Sequence, residues 1–154
     1  MGTEIERKFL LLNDEWRPAV LRSELMTQGY MRSPDATLRV RVIGDLAKFT
    51  IKGRTVGVTR GEWEFDIPAG DGSELIEQFC GKRVIKKTRH YLQVGEHEWT
   101  IDEFHDRHDG LFLAEIELES EAETFDQPGW LGREVSHESR YFNEALAAPR
   151  DDTM

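Results

Sequence analysis

The chain opens Thr3-Glu4-Ile5-Glu6-Arg7-Lys8-Phe9-Leu10, so Glu4, Glu6 and Lys8 fall at every second residue. In an extended strand successive side chains point to opposite faces. These three charged groups therefore share one face, and Ile5 and Phe9 share the other. Neighbouring carboxylates repel, and Glu is a poor strand former. A sheet that keeps them needs something to offset the repulsion, and a divalent cation beside a basic cluster is a natural candidate. The pattern returns in Arg39-Val40-Arg41, Glu62-Trp63-Glu64 and Glu115-Ile116-Glu117. One such strand would mean little; four indicate a charged site built from strands.

Period-two patterning extends over most of the chain. Strands are expected near residues 3–11, 27–33, 36–43, 47–53, 60–67, 83–94, 97–105 and 111–119. Gly44-Asp45, Val94-Gly95-Glu96 and His108-Asp109-Gly110 read as hairpin turns, which make their flanking strands antiparallel neighbours. Asn13 and Asp14 can cap a short helix starting near Glu15, with Pro18 in its first turns. Gly70-Asp71-Gly72-Ser73 reads as a turn and cap before a helix over residues 74–79, ended by Gly81. Residues 121–132 read as a loop, and a last helix is expected within 139–148. The fold class is mainly β (α+β): about eight antiparallel strands and few helices, in a closed or nearly closed barrel, since closure removes exposed strand edges. Periodicity leaves two orientations open. The charges face water around an apolar interior, or they line a wide lumen and the helices cover the apolar outside.

At 154 residues with 38% hydrophobic content, a single domain over residues 1–148 is expected, with residues 149–154 as a frayed tail. Thirty acidic against twenty basic residues give a formal charge of -10. That argues against bulk attraction to nucleic acid or an anionic membrane, but not against a small anion held by clustered Arg and Lys. Cys80 is the only cysteine, which excludes an intramolecular disulfide and an all-thiolate zinc site. The opening Met1-Gly2-Thr3-Glu4 has no basic flank with a long apolar run, and no stretch approaches the roughly 20 apolar residues needed to span a bilayer. A cytoplasmic location is expected, with a monomer or homodimer as the assembly.

If the polar faces converge, seven acids meet six bases: Glu4, Glu6, Glu62, Glu64, Asp102, Glu115 and Glu117, with Lys8, Arg39, Arg41, Lys52, Lys87 and Arg89. A polyanion carried with a divalent metal suits both halves. Arg forks match phosphate oxygens, Lys supplies point charges, and carboxylates are the ligands expected for magnesium or manganese. Each piece also has a plainer reading. Glu4, Glu6 and Lys8 could form a solvated sheet face, Arg39 and Arg41 could make surface ion pairs with Glu62 or Glu64, and Lys87 and Arg89 belong to a basic run. Period two allows only one of Asp102 and Glu103 to face inward. The five histidines show no helical metal-binding spacing, Cys80 reads as a small buried group, and Trp130 and Leu131 as cover for the barrel. No Gly-rich phosphate loop is present.

The Glu4-x-Glu6-x-Lys8 opening resembles the signature of the CYTH superfamily, also called triphosphate tunnel metalloenzymes. The resemblance continues in order through Thr37-Leu38-Arg39-Val40-Arg41, Phe49-Thr50-Ile51-Lys52-Gly53, Glu62-Trp63-Glu64, Lys87-Thr88-Arg89, Asp102-Glu103-Phe104 and Ala114-Glu115-Ile116-Glu117-Leu118. It covers about residues 3–143, with Tyr141 and Phe142 similar to the family's closing segment. It implies an eight-stranded antiparallel tunnel with the charges inside, acting on a triphosphate with Mg2+ or Mn2+. By the same resemblance, Glu4, Glu6, Glu115 and Glu117 would ligate metal. Glu62, Glu64 and Asp102 would join a second metal or orient water, with Lys87 as an alternative proton acceptor. Lys8, Arg39, Arg41, Lys52, Lys87 and Arg89 would hold phosphates, and Tyr30 could tune substrate choice. The compact bacterial members that prefer inorganic tripolyphosphate are the most similar. Adenylate cyclases of class IV, hydrolases of ATP or thiamine triphosphate, and a non-enzymatic polyphosphate-binding module are the alternatives.

Overall fold

A computed structural model describes residues 2–149 of the chain. Among them, nine strands form one antiparallel sheet: β1 (Gly2–Leu11), β2 (Arg22–Met31), β3 (Thr37–Ile43), β4 (Leu46–Lys52), β5 (Thr59–Pro68), β6 (Val84–Val94), β7 (His97–Phe104), β8 (Phe112–Glu117) and β9 (Leu131–Glu134). Their order is β5-β4-β3-β2-β6-β7-β8-β1-β9, and β5 also pairs with β1. Eight strands therefore close into a barrel, and β9 is an extra strand beside β1. The closure runs through β1, whose residues Gly2–Ile5 pair with β5 while Glu6–Phe9 pair with β8.

The register settles the orientation that periodicity left open. Phe9, Trp16, Leu92, Trp99, Ile101, Ala114, Ile116, Leu118 and Trp130 form one buried cluster. Those on strands occupy the faces opposite Lys8, Asp102 and Glu115. This apolar core lies on the outside of the barrel wall, and the charged faces point into the lumen. Two connecting segments cover it. Trp16, from the β1–β2 connection, packs against Phe112 and His90. Phe125 and Trp130, from the β8–β9 connection, meet Trp99 edge-on with ring centroids 5.6 Å apart in each case. A second buried cluster, including Tyr30, Ile85, Phe104, Leu113, Val135 and Leu146, has a different place. Ile85 is two residues before Lys87 and Leu113 two before Glu115, so these side chains share the lumen face. They close one end of the lumen, where Leu146 and Ala147 of helix α2 (Asn143–Ala147) are buried against them.

Several local expectations change. The helix near Glu15 is only a 3-10 turn, Arg17–Ala19, because Pro18 lies inside it and no regular helix follows. Strand β2 starts at Arg22, earlier than residue 27, since its outer half pairs with β6 out to Tyr91. The second helix also starts early: α1 (Ala69–Leu75) includes the segment read as a turn, then widens into a π-turn over Ile76–Cys80. Contact with the sheet explains the glycine there. A Cβ on Gly72 would lie 2.7 Å from the Ala47 Cβ and 3.1 Å from Val42, so its absence lets α1 press on β3 and β4. The loop over 121–132 gives way at Leu131 to β9, which takes up the free edge of β1 at Phe9 and Leu11. The last helix is broken: a 3-10 turn, Ser139–Tyr141, is separated from α2 by extended Phe142. The tail expected at 149–154 lies, beyond Pro149, outside the described residues. Trp63 and Phe65, on the outer face of β5, stay 37% and 53% exposed because no segment among the described residues covers them. No helix among the described residues is long and apolar enough to cross a membrane.

Gly29 makes the tightest contact between β2 and the π-turn: a Cβ there would lie 2.6 Å from the Cys80 Sγ and 3.1 Å from Ile76. Gly29→Ala is expected to lower unfolding stability by about 1–3 kcal/mol through overpacking, and Cys80→Ala in the same chain to recover part of that loss. Urea denaturation of the two variants and the unaltered protein checks both statements.

Candidate active site

The period-two faces of the barrel strands converge on a cavity of about 320 Å3. Twelve of the thirteen residues expected at a site line it: Glu4, Glu6, Lys8, Arg39, Arg41, Lys52, Glu62, Glu64, Lys87, Arg89, Glu115 and Glu117. The thirteenth, Asp102, does not. It is fully buried behind Lys87 and Arg89, while Glu103 turns outward to His90. Tyr30 also borders the cavity.

Basic side chains form one part of the wall. Arg89 binds both oxygens of Asp102, with Nε 2.8 Å from Oδ1 and Nη2 3.0 Å from Oδ2. Lys87 donates to Asp102 Oδ2 and to Asn143 Oδ1, each at 2.7 Å. Burial opposes the charge on Asp102, but Arg89 and Lys87 outweigh it and hold the carboxyl well below the usual range. Burial pushes Lys87 well below the usual lysine range, and the charges of Arg89 and Arg41 add to the effect while Asp102 opposes it. Arg41 has no carboxylate partner among the described residues; its Nε donates to Gln28 Oε1 at 2.7 Å. Burial, with repulsion from Arg39 and Arg89, pushes Arg41 down to about 9. Arg39 is buried, and its Nε meets no acceptor. Its nearest carboxylate oxygen, on Glu64, is 3.8 Å away. A buried donor without an acceptor is costly, so this wall is arranged for an anion.

Carboxylates form the facing part. Glu6 and Glu117 are direct cross-strand partners, as are Lys8 and Glu115. Glu4 precedes Glu6 on the same face and is bound by Lys52 Nζ at 2.8 and 3.1 Å and by Arg60 Nε at 3.3 Å. Burial opposes ionisation of Glu4 and of Glu115. The nearby cations prevail, Lys52 first for Glu4 and Lys8 first for Glu115, and bring each carboxyl down to about 2. Glu6 differs. It has no ion pair or side-chain hydrogen bond among the described residues, and burial with repulsion from Glu115 and Glu4 raises it from 4.5 to about 8. Burial likewise raises Glu62 and Glu117, with a hydrogen bond to Glu4 adding for the first and the charge of Glu4 for the second. The donor set, hard oxygen ligands carrying more negative charge than their neighbours neutralise, fits a divalent cation such as Mg2+ or Mn2+. As they stand, no three acid, His or Cys side chains among the described residues are gathered closely enough to enclose an ion. Glu4 and Glu115 would have to turn from their present ion-pair partners to do so.

The cavity also holds residues that the sequence reading missed, among them Arg60, Thr37, Ser136, Phe142, Asn143 and Glu144. Arg60 carried a signal, because it stands two residues before Glu62 and so shares its face. Asn143 and Glu144 carried none. They arrive because the segment after β9 crosses the closed end of the lumen, where the Tyr141 carbonyl accepts from Lys8 Nζ at 3.1 Å and Thr37 donates to Glu144. The arrangement can hold a compact polyanion among Arg and Lys beside oxygen donors for a cation.

Comparison with known proteins agrees with this geometry. The family model described as CYTH domain matches residues 2–148. An inorganic triphosphatase of Acetivibrio thermocellus is 41% identical over 147 residues, covering 95% of this chain and 94% of that protein. An inorganic triphosphatase of Nitrosomonas europaea is 35% identical over 150 residues, covering 94% and 97%. A crystal structure of an inorganic triphosphatase superposes with a TM-score of 0.69 at 32% identity, covering 96% of this chain and 95% of that one. With its barrel closed around a charged lumen and the family model matched almost end to end, the chain belongs to the CYTH domain family.

Proposed function

We propose that this chain is a divalent-metal-dependent inorganic triphosphatase that removes the terminal phosphate from tripolyphosphate. The observation that carries the reading is the split cavity wall. Among the described residues, buried Arg41 has no carboxylate partner and buried Arg39 has only Glu64 at 3.8 Å, while Glu6 and Glu117 form no ion pair. Near-full-length similarity to relatives named inorganic triphosphatase supports the choice of substrate.

In this reading Lys8, Arg39, Arg41, Lys52, Lys87 and Arg89 hold the phosphate chain. Arg39 and Arg41 offer forked donors from adjacent lumen positions of β3. Glu4, Glu6, Glu115 and Glu117 hold Mg2+ or Mn2+, which supplies charge neutralisation at the phosphate oxygens when bound. Water attacks the terminal phosphorus as its bond to the bridging oxygen breaks and pyrophosphate leaves, and Glu62 and Glu64, which border the cavity from β5, orient the water. Lys87, whose proton affinity is lowered by burial, suits a proton-accepting role beside its phosphate contact. Asp102 acts through Lys87 and Arg89, fixing both against the wall. The fixed cations stabilise charge that develops on the transferred group without moving to meet it. We place the protein in the cytoplasm as a monomer or homodimer, with Cys80 as a buried free thiol.

Phosphate release from tripolyphosphate, ATP and thiamine triphosphate, each with magnesium, manganese or chelator, tests the proposal. Release from tripolyphosphate that requires metal is expected, and absence of release from every substrate would sink it. Cyclic AMP formation from ATP would instead identify a cyclase. Glu6→Gln should cut kcat/KM by on the order of 100-fold, the scale of losing several kcal/mol of charge stabilisation. Arg39→Ala should raise KM for tripolyphosphate about 10- to 100-fold, as expected for a lost charge-assisted hydrogen bond. An unchanged KM would count against the clamp.

Stability against pH gives a test free of turnover. With Glu6 near 8 in the folded chain and 4.5 as its ordinary value, the folded state binds this proton more tightly than the unfolded one. The stability linked to Glu6 is therefore full below pH 4.5 and is lost as pH rises through about 8. In chelator, the urea midpoint of the unaltered protein should fall across that window more than that of Glu6→Gln; parallel profiles would refute the crowding.

A further inference from the structure

Arg60 is the one cavity-lining cation that faces Glu4 directly across a strand pair, since the two are register partners between β1 and β5. Its Nε lies 3.3 Å from Glu4 Oε1, and among the described residues Glu4 is its only ion-pair partner. Lys52 binds the same carboxylate but also reaches Glu62 at 3.5 Å, so it keeps an acidic neighbour if Glu4 turns away. Arg60 does not. A guanidinium and a divalent cation both seek the Glu4 oxygens, and two positive charges cannot share them without strong repulsion. The side chain is only 24% exposed and lines the cavity, as Thr55 and Val58 do, so once released it remains beside the lumen.

We propose that Arg60 is the counter-ion that Glu4 gives up when a divalent cation binds, and that the released guanidinium then binds the polyphosphate. The inference rests on Glu4 belonging to the metal-holding set of the proposed function. It makes Arg60 a coupling residue: it competes with metal while the cavity lacks phosphate and favours phosphate once metal is present. Its removal should therefore move the two affinities in opposite directions, which a purely structural ion pair would not do. The forked geometry of Arg suits this exchange: Arg60 meets Glu4 through Nε, and a guanidinium can present two nitrogens to phosphate oxygens.

The test uses Mn2+ binding by calorimetry on phosphate-free protein, together with KM for tripolyphosphate at saturating Mn2+. Arg60→Ala should tighten the manganese Kd about three- to tenfold and raise KM by a similar factor, the range of coupling between contacting charges. Arg60→Lys, which keeps a charge but not the fork, should leave manganese affinity nearer the unaltered value. Arg54→Ala removes an exposed arginine of the preceding turn, paired among the described residues only with exposed Asp35, and should change neither quantity. Thermal melts confirm that each variant is folded. Manganese affinity that is unchanged or weaker in Arg60→Ala overturns the exchange, and an unchanged KM overturns the phosphate contact. Absence of manganese binding to the unaltered protein would instead overturn the site reading beneath it.

Discussion

The rest of this structure depends on one constraint: charged side chains enclosed by a protein wall must meet opposite charge. Lys87 and Asp102 are almost wholly inaccessible, as is the Gln28 amide beside them. They are tolerated because Asp102 is bound by two cations, and Lys87 by an acid and an amide. Turning this face inward leaves the alternate residues of the same strands facing out, where they need cover. The aromatic layer of Trp16, Trp99, Phe125 and Trp130 is the consequence. The core of the protein is thus wrapped around the barrel, and the barrel is free to be a site.

Balance inside the lumen is nevertheless incomplete, and the incompleteness is ordered. Acids beside cations, Glu4, Glu115 and Asp102, are driven far down; Glu6, beside acids, is driven up to about 8. Bases beside bases, Arg41 and Lys87, are driven down. Such opposed shifts among neighbours are typical of functional sites, where groups are held for a ligand that is also charged. Buried ion pairs add little net stability over apolar packing, so a lumen of this kind is better understood by what it binds than by what it contributes to folding. The present ion pairs of Glu4 show the site in its resting balance, and Arg60, unlike Lys52, has no second acidic partner among the described residues.

Much of the fold was legible because strand alternation is local. Eight strands were read within a few residues of their ends, except β2, whose polar outer half gave no apolar rhythm. The helices were less legible. Pro18 reduces one to a single turn, extended Phe142 splits another, and Gly72 looked like a turn residue because its reason for being small is Ala47, distant in sequence. Strand β9 was lost in a Pro- and Gly-containing loop, since its four residues take strand form only against the free edge of β1. Within the site, Arg60 stood in the same alternating face as Glu62 and was readable in principle. Asn143 was not, because a short segment after several turns can arrive anywhere.

By itself the sequence determined that charged and apolar faces alternate along the strands, that the chain is mainly β, and which side chains share a face. Those properties follow from the pleat, which every strand obeys. Only the tertiary structure decided which face is the inside, because alternation is symmetric between a lumen and a surface until connecting segments cover one of them. It also decided that Asp102 stands behind the wall rather than in it, and that Glu6 and Glu117 line the lumen without an ion pair among the described residues. The second depends on strands far apart in the chain and the first on contacts across the β6–β7 hairpin, neither of which alternation along one strand records.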